Sequence, residues 1–154
     1  MIVVSDTSAI SALLQIRRAD LLSASYGEVF IPEAVRNELC VGHAQIPDFI
    51  RTVPIVDRTF FARLRQEIDE GEAEAIVLAS ELKADDLLMD ETKGRRVAIR
   101  EGMHVIGLLG VLLETKLRGI APSIRPIIEQ LEHEASFRVA TSLKEAVLRA
   151  AGEL

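Results

Sequence analysis

Short apolar runs alternate with longer stretches in which apolar residues return every three or four positions. IVVS at 2–5 and EVFI at 28–31 are rich in β-branched residues and read as strands. VPIV at 53–56 reads as an edge strand, because Pro54 lacks a ladder donor. DLLM at 86–89 and HVI at 104–106 read as two more. Helical spacing fills the gaps: Ala9 to Ile16, Ala19 to Ser25, Pro32 to about Cys40, Thr59 to Ile68, Glu72 to Leu82, Thr92 to Glu101 and Leu108 to Leu117. Two further helices are read around Ile124–Glu134 and Leu143–Ala151. Pro32 suits a first helical turn, Gly42 ends that helix, and Gly71 breaks the pattern before Glu72. Strands alternating with helices predict βαβ units, a mostly parallel sheet and helices on both faces.

Composition narrows the class. The chain has 154 residues, 49% hydrophobic and 27% charged, which suits a single globular domain over 1–154 with a proper core. One cysteine, Cys40, excludes an internal disulfide and a cysteine-rich zinc module. The longest apolar run, MHVIGLLGVLL, carries His104 and is too short to span a membrane. MIVVSD lacks a basic leader region, so a cytoplasmic location is expected. Neither GxGxxG nor GxxxxGK[ST] occurs, which argues against a Rossmann dinucleotide site and a P-loop.

Charge is unevenly placed. The net charge is −6, yet residues 67–91 hold ten acids against the single base Lys83, giving −9 there and +3 elsewhere. Lys93, Arg95, Arg96 and Arg100 follow directly. Taken alone, this pattern slightly favours a solvated acidic helix before a basic one over a cation site beside a phosphate-binding surface.

Position sharpens the choice. In open α/β sheets ligands bind beyond the carboxyl ends of the strands, where Asp6 and Asp90 both fall. Each alone reads equally well as a helix cap. At 100° per residue, from 3.6 residues per turn, Glu38 shares a stripe with Ala34, Val35 and Val41. Glu72 shares one with Ala75, Ile76 and Ala79, while Glu70, Glu74 and Glu81 line up as a solvated face. Glu38 and Glu72 are therefore expected to face the sheet, and buried carboxylates need a base or a cation. Arg36 points away from Glu38, and Glu72 has no local base. Four acids without a histidine or cysteine pattern suit hard oxygen ligation of Mg²⁺ or Mn²⁺. Such an ion can activate water for phosphodiester cleavage. Arg95 and Arg96, one turn past Asp90, are placed to hold a phosphate backbone, with Lys93 beside them.

Several segments together resemble the PIN-domain nucleases: VSDTSAI at the start, FIPEAVRNEL around Glu38, DEGEAEAIVLA around Glu72 and LLMDETKGRRVA at Asp90. The continuation GMHVIGLLGVLLETKLRGIAPSIRPIIEQL is similar to the DUF3368 branch of that family. The resemblance implies a three-layer α/β/α sandwich with a roughly five-stranded sheet and metal-dependent cleavage of RNA. Asp6, Glu38, Glu72 and Asp90 match its acidic set, with Glu72 where many relatives carry aspartate. Thr7 and Ser8 match polar residues that help seat the metal, and Glu91 stands where a second aspartate is frequent. Resemblance to VapC-type toxins further implies a toxin–antitoxin pair, a small antitoxin that blocks the site, and a homodimer. The alternatives are a catalytically weak RNA-binding or regulatory module, and a DNA nuclease or phosphatase using the same metal site.

Other residues are read more plainly. His43, His104 and His133 do not cluster, and His104 is expected to pack or hydrogen-bond. Cys40 is expected to be a buried structural thiol. Aromatics are 4% and tryptophan is absent, so RNA contact would rest on basic side chains and shape rather than base stacking.

Overall fold

The computed structural model describes residues 1–154. Its chain order is β1 (Val3–Ser5), α1 (Thr7–Gln15), α2 (Asp20–Tyr26), β2 (Val29–Ile31), α3 (Glu33–Gly42), β3 (Ile50–Thr52), α4 (Arg58–Leu64), α5 (Glu70–Leu82), β4 (Asp86–Leu88), α6 (Thr92–Arg100), β5 (Val105–Ile106), α7 (Leu108–Leu117), α8 (Arg125–Glu134) and α9 (Thr141–Ala150). The strands form one sheet in the order β3-β2-β1-β4-β5, and every pairing is parallel.

Pleating sorts the strand residues onto two faces. Val3, Val29, Ile31 and Leu88 join the apolar layer built with α1, α2, α7, α8 and α9. Val4, Leu87 and Met89 face the opposite layer, built with α4, α5 and α6, and Phe30 packs against it. The result is an α/β/α sandwich of the expected class. No helix is long and apolar enough to cross a membrane.

The chain builds β1, β2 and β3 outward in one direction, then crosses back to lay β4 on the other side of β1. The switch point therefore lies between β1 and β4, where Ser5 pairs with Leu88 and the Asp6 amide donates to the Leu88 carbonyl at 3.0 Å. Ligands collect at such points in open α/β sheets.

Several expectations need correction. The edge strand is Ile50–Thr52, and residues 53–56 carry no strand. The Val53 amide makes the last bond to β2, on the Ile31 carbonyl at 2.9 Å, and Pro54 has no donor to continue it. Gly71 does not break a helix. It lies inside the first turn of α5, which begins at Glu70 behind the N-cap Asp69. Cys40 is exposed rather than buried, because the buried positions of α3 are Ala34, Val35 and Leu39.

Helix α5 is buried on all sides from Gly71 to Ala79. Its glycine and alanines let it pack closely against β1, β4, α3, α4 and α6. A helix so enclosed has no solvated face at its centre. Glu74, read as solvent-facing, is consequently only 6% exposed. Its Oε1 accepts the Ala34 amide at 3.1 Å, closing the N-terminus of α3, and Arg58 stands 3.9 Å from Oε2. Glu81 is exposed, and its carboxylate accepts the Val56 and Asp57 amides.

Candidate active site

Beyond the carboxyl ends of β1 and β4 the surface opens into a cleft of about 780 Å³. Asp6, Glu38, Asp69, Glu72, Asp90 and Glu91 line it, with Thr7, Ser8 and Thr92. The four acids picked out by position thus share one cleft, and Thr7, Ser8 and Glu91 share it with them.

Asp6 occupies the N-cap position of α1 but makes no capping hydrogen bond with its side chain. It is 6% exposed. Burial pushes its pKa up to about 7, opposed by the Thr7 amide and reinforced by Asp69, Glu38 and Glu91. Glu72 is equally buried, and its Oε2 has no hydrogen-bond partner. Burial, then the charges of Asp69 and Asp6, push Glu72 up to about 7 as well. Ser8 Oγ is a second buried polar atom without a partner.

Asp90 is held differently. Both its carboxylate oxygens stand 3.2 Å from the Leu108 amide at the start of α7. Burial raises its pKa and Glu91 adds to the rise, while the Leu108 amide and Arg95 hold it down. Glu38 is exposed, contrary to the expectation that it faces the sheet, and Val41 on the same supposed stripe is 90% exposed. The second turn of α3 faces the open cleft, where Glu38 Oε2 accepts the Thr7 hydroxyl at 2.6 Å.

Two residues of the cleft escaped the reading of the sequence. Asp69 caps α5, its Oδ1 accepting the Glu72 amide at 2.8 Å, and its charge acts on both Asp6 and Glu72. Its cap position three residues before Glu72 was a usable signal, hidden by taking Gly71 as a break. Arg138 is the only basic residue lining the cleft, and it comes from the α8–α9 connection with Ser136 and Phe137. Nothing in its local sequence marks it.

Lys93, Arg95 and Arg96 do not enter the cleft. Arg95 turns inward and donates from Nη1 to the Met89 carbonyl at 2.8 Å. With Thr92, Arg96 and Ile99 it lines a separate shallow groove along α6. Thr92 borders both depressions, so the groove leads away from the cleft rather than forming its wall.

No group of three or more histidine, cysteine, aspartate or glutamate side chains stands close enough together to hold a metal ion. Mg²⁺ does not require such a cage, since it keeps several waters and binds through one or two carboxylates plus substrate phosphates. The donor set is all oxygen, and Glu72 Oε2 and Ser8 Oγ are left without partners. On these grounds the residues fit a hard divalent cation.

The family comparison agrees in extent. The model of DUF3368, described as a PIN domain, matches residues 2–153. No curated protein matches the chain.

Proposed function

The chain belongs to the DUF3368 family of PIN domains, which are generally nucleases that bind nucleic acid and typically use divalent metals; from that premise we propose a cytoplasmic endoribonuclease dependent on Mg²⁺ or Mn²⁺. The observation that carries the reading is a pair of buried carboxylates at the switch point of the sheet, Asp6 with no ion pair and Glu72 with an oxygen that has no hydrogen-bond partner. Burying such groups costs free energy, and a bound cation would offset that cost.

In this account one or two of Asp6, Glu72 and Asp90 would bind the cation directly, and the others, with Glu38 on the open side of the cleft, would act through its bound waters. The bound ion would supply charge neutralisation at the scissile phosphate and a lower pKa for the attacking water. The protein's own residues do the positioning. Thr7 fixes one oxygen of Glu38, Asp69 fixes the backbone at Glu72, and the Leu108 amide fixes Asp90. Ser8 Oγ offers a further oxygen or a donor to ion-bound water. Without the ion, Asp6 and Glu72 each hold a proton through much of the range below pH 7.

Arg138 lines the acidic cleft, and in this account it would contact a substrate phosphate there. Lys93 and Arg96, exposed on α6, serve phosphates further along the strand. The homodimer and the small antitoxin rest on the likeness to VapC-type toxins. A toxin role follows from the same likeness.

A second reading, binding without cleavage, draws on one observation: no three of the acids are grouped so as to hold an ion unaided. Parallel assays with Mn²⁺ on a mixed single-stranded RNA pool, matched DNA and a phosphomonoester separate the readings. Cleavage of RNA alone, lost in EDTA and in Asp6→Asn, is the expected result. RNA retention without cleavage would favour the second reading, and turnover of DNA or the monoester would overturn the RNA assignment. In the same assay Arg138→Ala is expected to raise KM and reduce the salt slope of RNA binding by about one. An unchanged slope would remove Arg138 from the substrate path.

A further inference from the structure

The nine glycines fall into unlike groups. Gly27, Gly102, Gly119 and Gly152 have positive φ and open space around them, as turn glycines do. Gly71, Gly94 and Gly107 have no positive φ, so their backbones do not call for glycine. What sets them apart is the neighbour that a side chain would meet. A Cβ on Gly71 would lie 2.5 Å from Glu38 Oε1. One on Gly107 would lie 2.8 Å from Asp90 Oδ1. One on Gly94 would collide with Glu72 Oε2 and would stand 2.7 Å from Met89 Sδ. Three separate glycines therefore each leave empty the volume that one cleft carboxylate fills.

We propose that Gly71, Gly94 and Gly107 are positioning residues that seat Glu38, Glu72 and Asp90, and that Gly94 in particular is the residue that admits a glutamate rather than an aspartate at position 72. The chemistry supports this second part. Glu72 carries one methylene more than aspartate, and its Oε2 lies against the Cα of Gly94 on α6. That oxygen is buried and unpartnered, so no hydrogen bond fixes it. Its place is set by the wall on which it rests and by Asp69, whose side chain acts on the same carboxyl group. A methyl group at position 94 would push the carboxylate out of its seat and displace the end of the Met89 side chain. Helix propensity alone favours alanine over glycine in the first turns of α5 and α6, so glycine persists there against a local preference.

The inference rests on the proposed ion site only for its binding arm, and the test keeps the two apart. Gly94→Ala, Glu72→Asp and the double variant form a cycle read in two ways: chemical unfolding of the ion-free protein, and calorimetric titration with Mn²⁺. Gly42→Ala, a helix-end change with nothing within 4 Å of the new methyl, is the control. Gly94→Ala is expected to destabilise the ion-free protein and weaken Mn²⁺ binding by about tenfold or more. Shortening Glu72 to aspartate in that background restores affinity to that of Glu72→Asp alone, and stability in part, because the Met89 contact remains. Should Gly94→Ala fail to fold, recovery of folding in the double variant is the expected result. Additive effects, with no coupling between the two positions, would overturn the proposal. Coupling in the ion-free protein with no Mn²⁺ binding by the unaltered chain would sustain the seating of Glu72 and overturn the ion site.

Discussion

Glu72 and Glu74 stand two residues apart on α5 and are buried to the same extent, yet they are opposites. Glu74 turns toward α3, accepts the Ala34 amide and has Arg58 nearby. Its charge lies at the positive end of a helix, where an anion is stabilised. Glu72 turns toward the cleft, has an oxygen with no partner, and faces Asp69 and Asp6. Burial alone therefore does not identify a functional carboxylate. The distinction is that the fold gives Glu74 a donor and a nearby base, and gives Glu72 Oε2 no hydrogen-bond partner.

The largest expected effect comes from the unsatisfied side of this pair. Asp6→Asn and Glu72→Gln are expected to reduce Mn²⁺-dependent cleavage by more than about a hundredfold, beyond the range usual for supporting residues. The same substitutions leave the melting temperature unchanged or raise it, since repulsion is relieved. A cleavage rate near that of the unaltered protein would break the comparison. Glu74→Ala is expected to do the reverse. It leaves the Ala34 amide unpaired and costs about 1–3 kcal/mol, measurable as a lower urea midpoint with an unchanged slope. A fully stable Glu74→Ala protein would show that α3 does not depend on this contact.

A pH series sharpens the contrast. Asp6 and Glu72 are raised from ordinary carboxylate values to about 7 in the folded chain. The folded state therefore binds more protons than the unfolded one between roughly pH 4 and 7. Their contribution to stability is fully present below that window and is lost as pH rises through it. Thermal melts of the ion-free protein should show this decline, and Mn²⁺ should reverse it above pH 7. An ion held by these carboxylates would displace their protons, so its affinity should climb over the same interval.

The smallest effect is expected at Glu153, another carboxylate that the fold satisfies. It accepts the Ser123 hydroxyl and the Ile124 and Arg125 amides at the start of α8. Although burial opposes it, these bonds and Lys116 hold its pKa down to about 2. Its contribution is present above the ordinary carboxylate range and lost as pH falls toward 2. Glu153→Gln is expected to cost about 1 kcal/mol at neutral pH, comparable to a lost helix cap, and nothing in strong acid. Urea titrations at the two pH values check it.

Much of the frame was legible because it rests on local rules. The β-branched runs at Val3 and Val29 and the apolar run at Leu87 mark three adjacent strands, and the acids at their ends follow from the topology. The errors have a common physical source. A helical wheel assumes one exposed face, which places Glu74 in solvent, but α5 has no exposed face from Gly71 to Ala79. The same wheel turned Glu38 inward, although α3 leaves it at the cleft mouth. Pro54 was given a strand that ends just before it. Arg138 depends on where the α8–α9 connection folds back, which no periodicity encodes.

The central claim is that Glu72 is kept unsatisfied for a cation while Glu74 is not. Calorimetric titration of Mn²⁺ above pH 7 into the unaltered protein, Glu72→Gln and Glu74→Gln tests it most directly. The account predicts binding by the unaltered protein and by folded Glu74→Gln, and a loss of binding in Glu72→Gln. Binding by Glu72→Gln equal to that of the unaltered chain, or no binding by the unaltered chain, would contradict it.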